Sequence, residues 1–143
     1  MSSFRHSREL PATPAAVFAA IVDPVRLARW WGPTGFTNRF RICDVTPGGR
    51  WSFTMIGPNG VEYPNESEFV ELLADQRVRI RHLSPPHFVL TIELADSTET
   101  EGGTLLTWTQ TFEDPGVAAV VRSIVVPANE QNLDRLSAEL ARK

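Results

Sequence analysis

A chain of 143 residues and 15.9 kDa suits one domain and leaves too little for two independent cores. Apolar residues at 42% and charged residues at 22% exclude wholesale disorder, and a formal net charge of −3 lacks the basic footprint of sequence-independent nucleic-acid binding. Cys43 is the only cysteine, which excludes an intrachain disulfide and a cysteine zinc cage. Residues 1–6 lack the apolar core of a signal peptide. No apolar run reaches the roughly eighteen residues that a spanning helix needs, so a cytoplasmic domain without a membrane span is expected.

The first element is a short strand over residues 3–10. Thr13-Pro14 and Asp23-Pro24 then use one device twice: an oxygen-bearing side chain that caps free amides, followed by proline at the first helical position, where no donor is lost. This predicts two short helices over 14–21 and 24–31, the second stopped by Gly32-Pro33. From Phe36 the apolar period changes to two. Phe40 and Ile42 alternate with Arg39 and Arg41, Pro47-Gly48-Gly49 turns the chain, and Trp51, Phe53 and Met55 share a face until Gly57-Pro58-Asn59-Gly60 makes a hairpin. Alternation slips between Asn65 and Phe69, predicting a bulge and obscuring the facing of residues 62–72. Val78, Ile80 and His82 alternate with Arg77, Arg79 and Arg81. Phe88, Leu90, Ile92 and Leu94 follow the proline turn at 85–86, and Leu106, Trp108, Gln110 and Phe112 oppose three threonines. Near the end, Asp114-Pro115 caps a short helical piece, and Pro127 opens a longer helix with Leu133, Leu136 and Leu140 on one stripe.

The order β-α-α-β6-α is that of an α+β protein in which a curved antiparallel sheet of seven strands wraps around a long C-terminal helix. With its residues it resembles the START-like (SRPBCC) superfamily, the helix-grip fold. Within that superfamily it is similar to the branch homologous to the C-terminal domain of the activator of heat-shock protein 90 ATPase. The resemblance rests on an ordered set: residues 11–18 from Pro11 to Phe18, Asp23 to the Trp30-Trp31-Gly32-Pro33 stop, Pro47 to Phe53, and Glu68 to Glu71 before Arg77-Val78-Arg79. Gly103 to Thr107 and Asn129 to Leu136 complete it. The set spans nearly the whole of 1–143, read as one domain. The resemblance implies a cavity between the sheet and the last helix that takes an apolar small molecule. The chaperone activator carries an additional amino-terminal domain for which this length has no room, so a chaperone partner and stimulation of its ATPase are not expected.

The apolar sheet face reads as core or as cavity wall, and the resemblance favours a wall. The expected ligand-binding residues are Trp31, Trp51, Phe53, Met55, Leu90, Ile92 and Trp108, closed by Leu133 and Leu136. His82 and Gln110 interrupt this face. A buried imidazole or amide must find a partner, so they are either satisfied in place or anchor the polar end of a ligand. His82 titrates near neutrality, but spacing assigns no carboxylate or nucleophile beside it, so no catalytic residue is named. His6, His82 and His87 lie on separate elements, and neither metal nor cofactor is expected. Cys43 reads as a small buried apolar residue. Glu62, Glu66, Glu68 and Glu71 read as a solvated face, and Arg77, Arg79 and Arg81 as their cross-strand partners. Gly48-Gly49 and Gly102-Gly103 are hairpin turns without the strand-to-helix setting of a phosphate loop. The function expected first is non-catalytic binding of a lipid-, polyketide- or aromatic-like molecule. A cyclase or hydrolase on the same scaffold comes second and a chaperone-regulating module third, with a homodimer left open.

Overall fold

In the computed structural model, which describes residues 2–142, the two proline devices do what the pattern predicts. Strand β1 (Ser3–Leu10) leads to Thr13, whose hydroxyl accepts the Ala16 amide at 3.2 Å and opens α1 (Pro14–Val22). The Asp23 carboxylate accepts the Val25 amide at 3.0 Å and opens α2 (Pro24–Trp30). Gly32 follows with φ of 96°, and a Cβ there would stand 2.8 Å from the Met55 methyl. Only glycine passes at that point.

Six strands follow: β2 (Thr37–Cys43), β3 (Gly49–Ile56), β4 (Glu62–Leu73), β5 (Arg77–His82), β6 (Phe88–Asp96) and β7 (Thr104–Phe112). With β1 they form one antiparallel sheet in the order β1-β7-β6-β5-β4-β3-β2. Register runs across neighbouring strands, so Ile80 stands between Phe69 and Leu90, and Trp108 between His6 and Ile92. The bulge expected between Asn65 and Phe69 falls one residue later, between Phe69 and Glu71, and a second breaks the β2–β3 register between Phe40 and Ile42. Bulges bend a strand and increase its twist.

The last thirty residues correct the expectation of two helical pieces. They form one helix, α3 (Pro115–Leu140), of 26 residues, with Pro127 inside it. An interior proline removes one helical hydrogen bond and crowds the preceding turn, at a cost of about 3 kcal/mol. Packing at both ends offsets that cost. Ala118 is buried beside Phe4 and Phe112 before the proline, and Leu133 and Leu136 are fully buried in the main core after it. Pro127 and Ser123 are both exposed, so water can reach the carbonyl that loses its partner. Asp114 caps the start through Gly116 at 2.8 Å.

The main core lies between the sheet face and the three helices, built on Trp30, Trp51, Phe69, Ile92, Trp108, Leu133 and Leu136. The opposite sheet face is polar and cross-linked. Glu71 pairs with Arg77 at 2.7 Å, as expected of the two stripes, whereas Glu66 and Glu62 pair with Arg50 at 2.8 Å and Arg39 at 2.9 Å, arginines of β3 and β2 outside the expected stripe. Cys43 is half-buried against the core, and burial together with Asp44 pushes its thiol pKa up to about 11. A thiol held protonated in this way is a poor nucleophile.

Candidate functional site

The two halves of α3 meet the sheet differently. Beyond Pro127, Leu133 and Leu136 are fully buried; before it, Val120 is 78% and Ile124 70% exposed, and Val121 and Val125 only half-buried. Where the packing loosens, a cleft of about 250 Å³ opens between helix and sheet. Its floor comes from Phe53 and Met55 on β3, Ile80 on β5, Phe88 and Leu90 on β6, and Trp108 on β7. Ile124, Val125 and Ala128 of α3 form the roof, and the Trp31-Gly32-Pro33 stop closes one end.

The tryptophan pair divides its labour. Trp30 is 1% exposed and its indole donates to the Ala20 carbonyl at 3.0 Å, while Trp31 is half-buried and borders the cleft. Asn132 on α3 holds this end in place. Its Nδ2 donates to the Trp30 carbonyl at 3.0 Å, and its Oδ1 accepts the Gly32 amide at 3.2 Å. Arg135 reinforces the same turn by donating to the carbonyls of Arg29, Trp31, Gly32 and Pro33 within 3.0 Å.

Two polar poles interrupt the apolar wall. At one, Asn129 Nδ2 donates to Gln110 Oε1 at 3.0 Å and so ties α3 to β7. That bond uses one arm of each amide. Whichever way the amides point, one donor and one acceptor are left for whatever fills the cleft. At the other pole His82 is 8% exposed. Its Nδ1 lies 2.8 Å from the Pro86 carbonyl and its Nε2 2.7 Å from Asn65 Oδ1. Asn65 is oriented by its own Nδ2, which donates to the Tyr63 carbonyl at 2.8 Å. The imidazole is stacked on Phe88, with centroids 4.5 Å apart and planes within 9°. Burial lowers the His82 pKa below the ordinary histidine value; the Pro86 and Ser84 backbone groups oppose that shift, and His87 adds to it.

Of the residues expected from sequence, the structure brings Trp31, Phe53, Met55, His82, Leu90, Trp108 and Gln110 to the cleft. Trp51, Ile92, Leu133 and Leu136 stand beside it in the packed core, each fully buried. Periodicity reports which face a side chain takes, whereas depth under a helix depends on where that helix lifts away. Asn65, Ser67, Asn129 and Asn132 also line the cleft and were missed. Asn129 and Asn132 share the helix stripe of Leu133 and Leu136, where polar interruptions were as legible as His82 and Gln110 in the sheet. Asn65 and Ser67 were hidden by the slipped alternation of β4. Beside the cleft, the buried indole N–H of Trp108 finds no partner among the described residues, and neither does that of Trp51 in the core.

Residues 11–141 match the family described as Activator of Hsp90 ATPase homolog 1-like protein. No curated protein matches the sequence. Among solved structures, a protein from Chromobacterium violaceum is 25% identical with a TM-score of 0.84, each chain covered in full. One from Arthrobacter aurescens is 22% identical with a TM-score of 0.88, over 98% of this chain and 86% of that one. The AHSA1 protein of Silicibacter pomeroyi is 21% identical with a TM-score of 0.76, over 97% of each chain.

Proposed function

The chain belongs to the Activator of Hsp90 ATPase homolog 1-like family, and from that membership and the cleft beneath α3 we propose that it binds a small, mainly apolar molecule without transforming it. The observation that carries this reading is the opening of the helix–sheet interface at the point where the apolar wall holds a few placed polar groups. That combination is characteristic of small-molecule sites. The side chains at the poles favour binding over catalysis. His82 makes its short contacts with a backbone carbonyl and an amide; the Ser84 hydroxyl stands 3.5 Å from Nε2, but among the described residues no carboxylate pairs with the imidazole, so the oriented relay of acid–base or nucleophilic catalysis is incomplete.

Size narrows the ligand. A space of about 250 Å³ lies just below the roughly 300–1,000 Å³ range of small-molecule pockets, which suits one or two fused rings better than a whole lipid. Burying roughly 250 Å² of ligand surface at about 25 cal/mol per Å² gains about 6 kcal/mol before the cost of association. Even undiminished, that gain corresponds to a Kd of tens of micromolar, so after association costs an affinity of about 0.1–1 mM is the expected order.

The test is a fluorescence titration with 2-naphthamide, a neutral probe of this size. Wild type should bind it saturably. Leu90→Trp, which fills the floor, and Ala128→Leu, which lowers the roof, should each weaken binding about tenfold while retaining cooperative unfolding. Absence of saturable binding by wild type, or equal binding by all three proteins, would overturn the proposal.

A further inference from the structure

The geometry points to an anionic ligand: we infer that the cleft selects a small aromatic or aliphatic acid, whose carboxylate is the missing counter-charge of a doubly protonated His82. The inference rests on the binding function proposed above and names the ligand's charge. Both ring nitrogens of His82 face acceptors. Nδ1 faces the Pro86 carbonyl at 2.8 Å, which can only accept, so Nδ1 carries a hydrogen. Nε2 faces Asn65 Oδ1 at 2.7 Å, with the Ser84 hydroxyl farther off at 3.5 Å, and the Asn65 oxygen is turned inward because Nδ2 of the same amide donates to Tyr63. A neutral imidazole therefore sets a lone pair against a lone pair. Only the imidazolium satisfies both contacts, and the Phe88 ring stacked on it at 4.5 Å suits a cation.

Burial opposes that charge; the Pro86 and Ser84 backbone groups offset it only in part, and no carboxylate completes the offset. Among the described residues no carboxylate forms an ion pair with His82. On β4, Glu66 is committed to Ser52 and Arg50 on the outer face. In the β5–β6 turn, His87 disfavours a second positive charge. Arg81 and Glu113 border the outer groove that His82 and His87 also line, and neither forms an ion pair among the described residues. On α3, the residues over the cleft are Ile124, Val125, Ala128, Asn129 and Asn132, none of them charged. Ser67, directly opposite His82 in the β4–β5 register, lines the cleft and brings a hydroxyl-bearing side chain to the same part of it. A carboxylate arriving there gains a donor and a cation. The protein in turn gains the charge that lets His82 keep both protons, so binding takes up a proton from solvent.

The experiment compares 2-naphthoate with 2-naphthamide, equal in shape and different in charge, between pH 6 and 8. Naphthoate stays ionised throughout, so any pH dependence belongs to the protein. Naphthoate should bind more tightly at pH 6, and its affinity should fall roughly tenfold per pH unit once His82 is neutral in the free protein. Calorimetry at pH 7.5 in buffers of different ionisation enthalpy should show uptake of close to one proton per naphthoate, and none for naphthamide. His82→Gln should remove the pH dependence and bring the affinities for naphthoate and naphthamide together. Asn65→Asp supplies the counter-charge from within the protein, so it should abolish the preference for naphthoate without loss of fold. Equal, pH-independent binding of both probes would overturn the charge assignment and leave the binding function standing. Failure of wild type to bind either probe would overturn both.

Discussion

Asn129 on α3 donates to Gln110 on β7 at 3.0 Å, and this single amide–amide bond joins helix to sheet at the edge of the cleft. It sits where packing gives way, close to the poorly covered first half of α3. Replacing either residue by leucine leaves the other amide short of a partner, at an expected cost of about 1–2 kcal/mol. The double replacement should cost less than the sum of the two, with a coupling of at least about 0.5 kcal/mol. Urea denaturation of the four proteins measures it, and strict additivity would show that the bond contributes nothing.

The β2–β3 turn offers a sharper contrast. A Cβ on Gly49 would lie 2.0 Å from the Asp44 carbonyl oxygen, which is backbone and cannot step aside alone. Gly48, its neighbour, has φ of 83° but nothing within 4 Å. Gly49→Ala should therefore destabilise by about 2–3 kcal/mol through overpacking, and Gly48→Ala by about 1 kcal/mol through its left-handed backbone. Thermal unfolding of the two variants should rank them in that order.

The halves of α3 should differ in energy as they do in burial. Leu136→Ala empties a fully buried site and should cost about 2–5 kcal/mol, whereas Ile124→Ala, 70% exposed, should stay within about 0.5 kcal/mol. Pro127→Ala restores an N–H to the helix interior at an exposed position and should stabilise by about 1–2 kcal/mol. Denaturant midpoints decide all three. A stability loss at Pro127→Ala would mean that the proline is not a defect offset by packing.

Acid should destabilise the protein in two steps. Burial lowers the His82 pKa, so without ligand the unfolded chain binds this proton first, and stability falls as pH drops below the ordinary value of 6.5. Glu139 follows. Burial opposes its ionisation, but hydrogen bonds from Arg29 and Arg26 outweigh burial and hold its carboxyl below 4.5. Its contribution is present above 4.5 and lost as pH falls through the folded value. Glu139→Gln should cost about 1.5 kcal/mol at pH 7, with the difference from wild type vanishing in acid. His82→Gln should flatten the first step. Stability curves between pH 3 and 8 separate the two.

Much of this was legible in residue order. Two caps followed by proline placed α1 and α2, alternation placed the strands, weakly for β1 and with a slip in β4, and the leucine stripe placed the buried end of α3. These signals are local, because hydrogen-bonding side chains and apolar periods act on their own few residues. The candidate site was legible only as a face: seven of the eleven expected residues border the cleft, and four fill the core beside it. Pro127 misled because a proline has the same local preference at a helix start as at a tolerated interior position. Only burial on both sides distinguishes the two.

The sequence by itself determined the order of elements, the wet and dry faces of the sheet, and the polar interruptions His82 and Gln110. Tertiary structure alone decided that α3 runs unbroken through Pro127 and lifts from the sheet ahead of Leu133, so that Leu90 borders open space while Ile92, two residues on, is sealed. It also decided that Asn65, fifteen positions or more from any residue of β5 except Arg77, Val78 and Arg79, turns its oxygen toward His82. The physical reason is the range of the forces. Caps and periods are read within a few residues, but whether a gap remains, and which acceptors surround an imidazole, depends on how distant elements share the same space.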